Sequence, residues 1–141
     1  MDIWEELYLK AKEQYHPNDL SPFFWANHVA CALQAENGEI FTGFCIEGAS
    51  GVLNLCAERV AAVNMIVNSG QTVIKRLLVM RDKPPYKTGN FLPCGACREF
   101  MLQLDIKNKD CMILTDYESR DFTTLDKLIP HWWGEERYKN N

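Results

Sequence analysis

Residues 38–63 read GEIFTGFCIEGASGVLNLCAERVAAV and pass from a predicted strand, through the loop GASG, into an apolar-rich helix. The dipeptide Asn37-Gly38 at the start of this stretch is a strong hairpin signal, which predicts that strands at 28–33 and 39–46 pair in antiparallel fashion. The helix is predicted over 55–68 and ends at the turn residues that follow. This stretch therefore predicts a hairpin followed by a helix.

Helices and strands alternate on both sides of this stretch. Apolar residues at helical spacing predict an amphipathic helix within 2–15. The other predicted elements are strands at 72–80, 111–115 and 121–125, a helix at 94–104 and a short final helix. This order favours an α/β fold, a three-layer α/β/α sandwich around a five-stranded mixed sheet. The 141 residues are one domain's worth of chain, so residues 1–141 are predicted to form a single domain.

Composition and charge narrow the class of protein. The formal net charge is -4 and Lys and Arg form no cluster, which disfavours a nucleic-acid polymer as partner. The sequence has no run of 18 apolar residues and no apolar stretch typical of a signal peptide, so the protein is predicted to be cytoplasmic and not to bind membranes. Six cysteines in a reducing compartment favour metal binding, catalysis or simple burial over disulfides.

Two short motifs carry the chemistry: Cys56-Ala57-Glu58 and Pro93-Cys94-Gly95-Ala96-Cys97, each where a loop enters a predicted helix. The CxxC spacing places two thiols on one turn, and a helix N-terminus favours the thiolates that zinc requires. With Cys56 as a third ligand, the fourth tetrahedral position stays open, as in catalytic zinc sites. Glu58 can then move protons beside a water there. This geometry requires Cys56 at the helix cap, because positions i and i+2 of a helix do not share a face.

A CxxC pair alone is weak evidence, because redox pairs and zinc ribbons also contain it. A zinc ribbon requires a second CxxC, which the sequence lacks, and a redox pair does not explain a third cysteine beside a glutamate. A non-catalytic binding module that keeps zinc for folding stays open as an alternative. Glu58 separates the two interpretations, since a structural zinc site needs no acid beside its fourth position.

Together with the stretch at 38–63, the segment FLPCGACREF resembles the cytidine deaminase family, over roughly residues 20–133. The resemblance implies an α/β/α deaminase fold, Glu58 as general acid and base, and Zn²⁺ held by Cys56, Cys94 and Cys97. In zinc deaminases as a class, zinc-activated water attacks the ring carbon that bears the amine. Arg59 is expected to offset the charge of three thiolates by hydrogen bonds to sulfur, and the resemblance implies the same role.

Two departures from the family pattern affect the expected substrate contacts. The family's Asn-x-Glu motif, which binds a ribose hydroxyl, reads Cys45-Ile46-Glu47 here, and a thiol is a weak hydrogen-bonding group. Asn27 stands where nucleoside deaminases carry a phenylalanine that packs on the pyrimidine, unless Phe23 or Phe24 takes that place. A polar residue at this position resembles the blasticidin S deaminase branch. The expected substrate contacts are Glu47, Cys45, Asn27, Ala57 and Trp133.

The tail of the chain, residues 128–133, resembles a family segment in which an aromatic residue closes an active site, often that of a neighbouring subunit. Trp133 matches this aromatic residue best, and the resemblance implies a homodimer or homotetramer. The sequence as a whole predicts zinc-dependent deamination of the cytosine ring of a small nucleoside-like substrate, cytidine or deoxycytidine. The alternatives are a cytosine-containing antibiotic such as blasticidin S, another aminated heterocycle, or the non-catalytic zinc-stabilised binding module.

Overall fold

A mixed β-sheet forms the middle layer of the computed structural model, which describes residues 1–87 and 91–139. The elements occur in the order α1 (Ile3–Lys12), β1 (Asn18–Asp19), β2 (Trp25–Ala35), β3 (Ile40–Glu47), α2 (Ala57–Ser69), β4 (Ile74–Met80), α3 (Gly95–Leu104), β5 (Met112–Asp116), β6 (Asp121–Thr124), α4 (Leu125–Leu128) and α5 (Glu135–Lys139). Among the described helices, none has the length and apolar composition needed to span a membrane.

β2 organises the pairing of the strands. It pairs antiparallel with β3 along one edge and with β4 and β1 along the other. The place of β1 follows from Trp25, the first residue of β2, which pairs with Glu47 of β3 on one side and with Asp19 of β1 on the other. β5 is parallel to β4, and β6 is antiparallel to β5. The five predicted strands are all present. The two-residue β1 adds a sixth strand, since Asn18 and Asp19 pair with the start of β2.

Alternate residues of the strands face two different layers of helices. Ala30 and Ala32 of β2 are buried in one cluster with residues of α1, whereas Cys31 and Leu33 are buried in another with residues of α2 and α3. This period of two is that of a strand buried on both faces. The helices therefore cover both faces of the sheet, and the predicted three-layer α/β/α fold is confirmed.

Gly43 of β3 allows α2 to lie directly against the sheet. A Cβ atom at this position would lie 2.4 Å from the backbone nitrogen of Ala61 and 2.6 Å from the backbone oxygen of Ala57. Both contacts are with helix backbone, which cannot turn aside as a flexible side chain can. The absence of a side chain at Gly43 thus sets the depth at which the N-terminus of α2 lies.

Gly43→Ala is expected to destabilise the fold by about 1–3 kcal/mol, the usual cost of overpacking a core. We also expect weaker metal binding, because α2 must move and Cys56 directly precedes it. Urea unfolding and the zinc content of the purified protein measure the two effects. Gly51→Ala is the control, since a Cβ atom there meets nothing within 4 Å. Equal stability of the two variants would contradict the role assigned to Gly43.

Candidate metal centre and active-site cavity

The N-termini of α2 and α3 bring three thiols together. Cys56 is the N-cap residue of α2 (φ -75°, ψ 151°) and Cys94 is that of α3 (φ -67°, ψ 170°), both with extended backbone. Cys97 is in the first turn of α3. Because Cys56 precedes the regular helix, it need not share a helical face with Glu58 in order to reach the same site.

The sulfur atoms are spaced as for one metal ion. Sγ of Cys94 lies 3.4 Å from Sγ of Cys56 and 3.5 Å from Sγ of Cys97, and all three atoms lie within 4.8 Å of one another. A tetrahedral zinc ion with Zn–S bonds of about 2.3 Å separates its sulfur ligands by about 3.8 Å. Small movements of the three side chains therefore suffice to hold the ion. In the part of the chain that the structure describes, no other group of three His, Cys, Asp or Glu ligands is found.

Burial affects the protonation of two of the three thiols more than the helix N-termini that were expected to favour their thiolates. Burial raises the pKa of Cys56 and of Cys97 above the usual thiol range. Burial acts on Cys94 as well, but hydrogen bonds from the Cys97 backbone N–H and with the thiols of Cys56 and Cys97 hold the pKa of Cys94 below its usual value. Without a cation, the three groups do not favour the charged form together. A coordinated dication reverses this, because a coordinating thiol loses its proton outright.

Arg59 contacts the thiols from one turn further along α2. Its Nη2 donates a hydrogen bond to Sγ of Cys56 at 3.6 Å. This bond raises the pKa of the guanidinium group, so Arg59 carries its positive charge next to the sulfur. Three thiolates and one Zn²⁺ sum to a net charge of minus one. The position of Arg59 therefore suits a residue that offsets this charge.

The carboxyl group of Glu58 is buried beside the thiols. The residue is 6% exposed, and burial raises the pKa of its carboxyl group. The positive charges of Arg59 and Arg81 and a hydrogen bond with Cys97 act in the opposite direction without cancelling this effect. A raised pKa brings a carboxyl group closer to the range in which it can both accept and donate protons near neutral pH.

Two of the thiols, those of Cys56 and Cys94, line a cavity of about 170 Å³ together with Glu58. Its wall is built from β2, β3, the end of β4 and the segments that enter α2 and α3: His28, Val29, Cys45, Glu47, Cys56, Ala57, Glu58, Val79, Arg81, Leu92 and Cys94. Of the substrate contacts expected from the sequence, Glu47, Cys45 and Ala57 are on this wall. Metal ligands, a buried acid and polar groups thus share one small space.

The other two expected substrate contacts, Asn27 and Trp133, are not on this wall. Asn27 is buried with a positive φ of 64°, and its Nδ2 donates to the backbone oxygen of Gln14 at 2.8 Å. Trp133 is 64% exposed, and its indole N–H donates to Glu99 of α3 at 3.1 Å. It lines a separate cavity of about 280 Å³. Within this single chain, neither side chain is placed to contact a ligand beside Glu58.

Two polar residues of the wall, His28 and Arg81, were not singled out from the sequence. Arg81 directly follows β4, and the carboxyl end of a strand that has a parallel neighbour is a usual place for functional side chains. That signal was available in the sequence. His28 faces the cavity because β2 is irregular at this point, and no local pattern of apolar and polar residues shows such an irregularity.

The sequence model of the family described as "Cytidine and deoxycytidylate deaminase zinc-binding region" matches residues 9–113. The chain belongs to this family. It is therefore a hydrolytic deaminase that acts on cytosine rings, and zinc is the metal that its three cysteines are suited to bind.

Relatives and a solved structure agree with this assignment. A cytidine deaminase of Sporosarcina psychrophila is 32% identical over 128 residues, which cover 90% of this chain and 86% of the relative. A blasticidin-S deaminase of Bacillus cereus is 29% identical over 109 residues, covering 74% of this chain and 75% of the relative. The crystal structure of cytidine deaminase from Mycobacterium tuberculosis has a TM-score of 0.68 at 26% identity, covering 95% of this chain and 99% of that chain.

Proposed function

We propose that this chain deaminates the cytosine ring of a free nucleoside, converting cytidine to uridine or deoxycytidine to deoxyuridine with release of ammonia. The position of Glu58 beside the group of three thiols, two of which, Cys56 and Cys94, share the cavity wall with it, carries the proposal. The cavity volume of about 170 Å³ lies below the roughly 300–1,000 Å³ of sites for drug-sized ligands, which supports a small ring as its occupant. Residues 1–141 would form a single zinc-dependent deaminase domain, and the cytoplasmic location stays a prediction.

In this proposal Zn²⁺, when bound by the three thiolates, supplies Lewis-acid activation of water for attack on the ring carbon that bears the amine. Glu58 accepts a proton during the attack and donates it to the departing amine. Its raised pKa supports both roles, since the carboxyl group holds a proton at higher pH than an exposed glutamate does. Arg59 offsets the charge of the thiolates, and apolar residues of the wall keep bulk water from the ring.

The substituent on the ring would contact Glu47. Its side chain is 51% exposed and lies on the cavity wall, so its carboxylate is open to a hydroxyl donor. Ala57, also on the wall, would contact the ring. Cys45 lies on the wall and Asn27 does not, and we propose that both support the wall rather than contact the substrate, since the thiol and the amide already take part in hydrogen bonds within the chain.

A cytosine-containing antibiotic such as blasticidin S is the second candidate substrate. Two observations favour it: the thiol of Cys45 in place of an amide, and the similarity to the Bacillus cereus blasticidin-S deaminase. The binding-module alternative has less support, because a purely structural zinc site does not need the buried carboxyl group of Glu58.

One experiment separates these possibilities. The purified protein is analysed for zinc and then assayed for ammonia release from cytidine, deoxycytidine, cytosine and blasticidin S. We expect about one Zn²⁺ per chain, bound through three protein ligands, and the highest kcat/KM for a nucleoside. Zinc without ammonia release from any of the compounds would favour the binding module. A preference for blasticidin S would favour the second candidate.

We further propose that the protein is a homodimer or homotetramer in which Trp133 contacts the site of a neighbouring copy. A tryptophan that is 64% exposed supports this, since exposed tryptophans are enriched at subunit contacts. Trp133→Ala is expected to raise KM by about tenfold without loss of zinc or of thermal stability, because the indole is outside the core. Kinetics, together with molar mass by light scattering, provide the measurement. Unchanged KM and unchanged mass would refute this contact.

A further inference from the structure

We infer that His28 is a positioning residue for Glu47: it holds one oxygen of that carboxylate, so that the other accepts a hydrogen bond from the substituent on the substrate's ring. The inference rests on the proposed function, since it concerns a cytosine derivative bound in the same cavity. Nε2 of His28 lies 2.7 Å from Oε1 of Glu47, and both side chains line the cavity. An ionised carboxylate can only accept hydrogen bonds, so Nε2 is the donor.

A bulge in β2 explains why this histidine faces the cavity. β2 and β3 are in register on either side of residues 27–29, and within that interval these three residues oppose Cys45 alone. Asn27 takes a positive φ there, and its buried amide is tied to the backbone of Gln14. Bulges next to active sites re-aim side chains. Asn27 thus holds the bulge that turns His28 toward Glu47, rather than contacting a ligand itself.

The thiol of Cys45, two residues before Glu47 on β3, is only a weak donor and already contacts the backbone of β2. Its Sγ accepts a hydrogen bond from the backbone N–H of Val29 at 3.2 Å, and the residue is 6% exposed. The thiol on β3 therefore satisfies a backbone N–H of the bulge in β2. His28 is the polar residue of β2 on the cavity wall, and its Nε2, 2.7 Å from Oε1 of Glu47, supplies the donor from this neighbouring strand.

Trp25 fixes the plane of the imidazole. Its ring is stacked on that of His28, with 3.5 Å between centroids and an angle of 3° between the planes. The side chain of His28 is 12% exposed, whereas that of Glu47 is 51% exposed. Nδ1 of His28 is buried without a hydrogen-bond partner among residues 1–87 and 91–139, so Glu47 is the polar group that orients the ring there. The rigid and largely buried imidazole of His28 thus fixes the exposed carboxylate of Glu47 at the cavity.

This arrangement gives His28 a part in the choice of substrate, through the carboxylate that the family resemblance already assigns to a ribose hydroxyl. A carboxylate with one oxygen held and one oxygen open favours a ligand that brings a hydrogen-bond donor to this point. The 2′- and 3′-hydroxyl groups of a sugar supply such a donor, whereas a 2′,3′-dideoxynucleoside, which keeps only its 5′-hydroxyl, lacks both. His28 therefore contributes selectivity for hydroxyl-bearing substituents without touching the ring that reacts.

The test compares two replacements of His28. His28→Phe keeps a flat ring against Trp25 and removes the donor, whereas His28→Gln supplies an amide donor in its place. With cytidine, we expect His28→Phe to raise KM about tenfold and to change kcat less than about twofold, the effect of losing one hydrogen bond to a charged group. His28→Gln should recover most of this loss. With 2′,3′-dideoxycytidine, the wild type and His28→Phe should have the same KM. His131→Asn, at an exposed histidine, is the control.

A double variant shows whether His28 acts through Glu47. His28→Phe should add nothing to the KM of Glu47→Gln. An effect that persists in that background, or a fall in kcat that is equal for both nucleosides, overturns the inference. If His28→Phe does not fold, Trp25→Leu, at a position that is 44% exposed, should raise KM for cytidine selectively, and failure to do so is equally decisive. A wild-type protein that deaminates none of the aminated pyrimidines refutes the proposed function instead.

Discussion

Glu58→Gln is expected to reduce kcat by at least about 10²-fold, while the fold and the zinc content stay as in the wild type. Glutamine has nearly the same shape, but its amide can neither take a proton from water nor give one to a leaving amine. Bulk water cannot readily take over the task, because position 58 is 6% exposed. Steady-state kinetics with cytidine and metal analysis of the same preparation measure the two parts of this prediction.

Glu47→Gln is the matched control for Glu58→Gln. It makes the same chemical change on the wall of the same cavity, at a side chain that is 51% exposed. We expect it to act mainly on KM, since Glu47 is proposed to contact the ring substituent and not the reacting atoms. If Glu58→Gln retained its kcat with zinc bound, Glu58 would have no part in the proton transfers. The mechanism would then need another acid on the cavity wall.

The second large effect is expected from Cys97→Ala, which should abolish detectable deamination. Cys97 is fully buried in the first turn of α3, so no other ligand can readily take its place. Loss of a residue that only hydrogen-bonds to a metal ligand already weakens metal binding by about 10–100-fold. Loss of the ligand itself should therefore weaken zinc binding by more than about 10²-fold. Zinc per chain after dialysis, and ammonia release with and without added zinc, provide the measurement.

Cys111→Ala is the control for this variant. Cys111 is also buried, at 1% exposed, but it lies directly before β5 and outside the group of three thiols. We expect Cys111→Ala to lower stability through lost packing and to keep one zinc ion per chain. Full zinc occupancy in Cys97→Ala would mean that the metal is held by a different set of residues.

The features that the sequence predicted depend on short-range patterns. Apolar periodicity gave the helices and strands, and turn residues gave most of their ends. The metal site was also accessible, because CxxC spacing places Cys94 and Cys97 on one turn whatever surrounds them. The requirement that Cys56 lie at a helix cap followed from helix geometry, and the structure places it there.

The place of His28 on the cavity wall could not be predicted, because it depends on contacts between distant parts of the chain. The bulge that presents His28 is held by Asn27, whose partner Gln14 is thirteen residues away in the loop that follows α1. The tail gives a second example. Trp132 is 8% exposed and belongs to the core, whereas the adjacent Trp133 is largely exposed. The two neighbours are the same type of residue, and their difference in burial comes only from the path of the chain after Pro130.

The distance between the metal ligands in the sequence makes the stability of the folded state depend on free zinc. Cys56 and Cys94 are 38 residues apart in the chain, so a bound ion joins two segments that α2 and β4 separate in the sequence. The unfolded chain has no preformed site, and zinc therefore favours the folded state by mass action. Above the dissociation constant, each tenfold rise in free zinc adds about 1.4 kcal/mol to the free energy of unfolding. The thermal midpoint of this protein should therefore rise with the supply of zinc, so that enzyme made under zinc starvation is not only inactive but also shorter-lived.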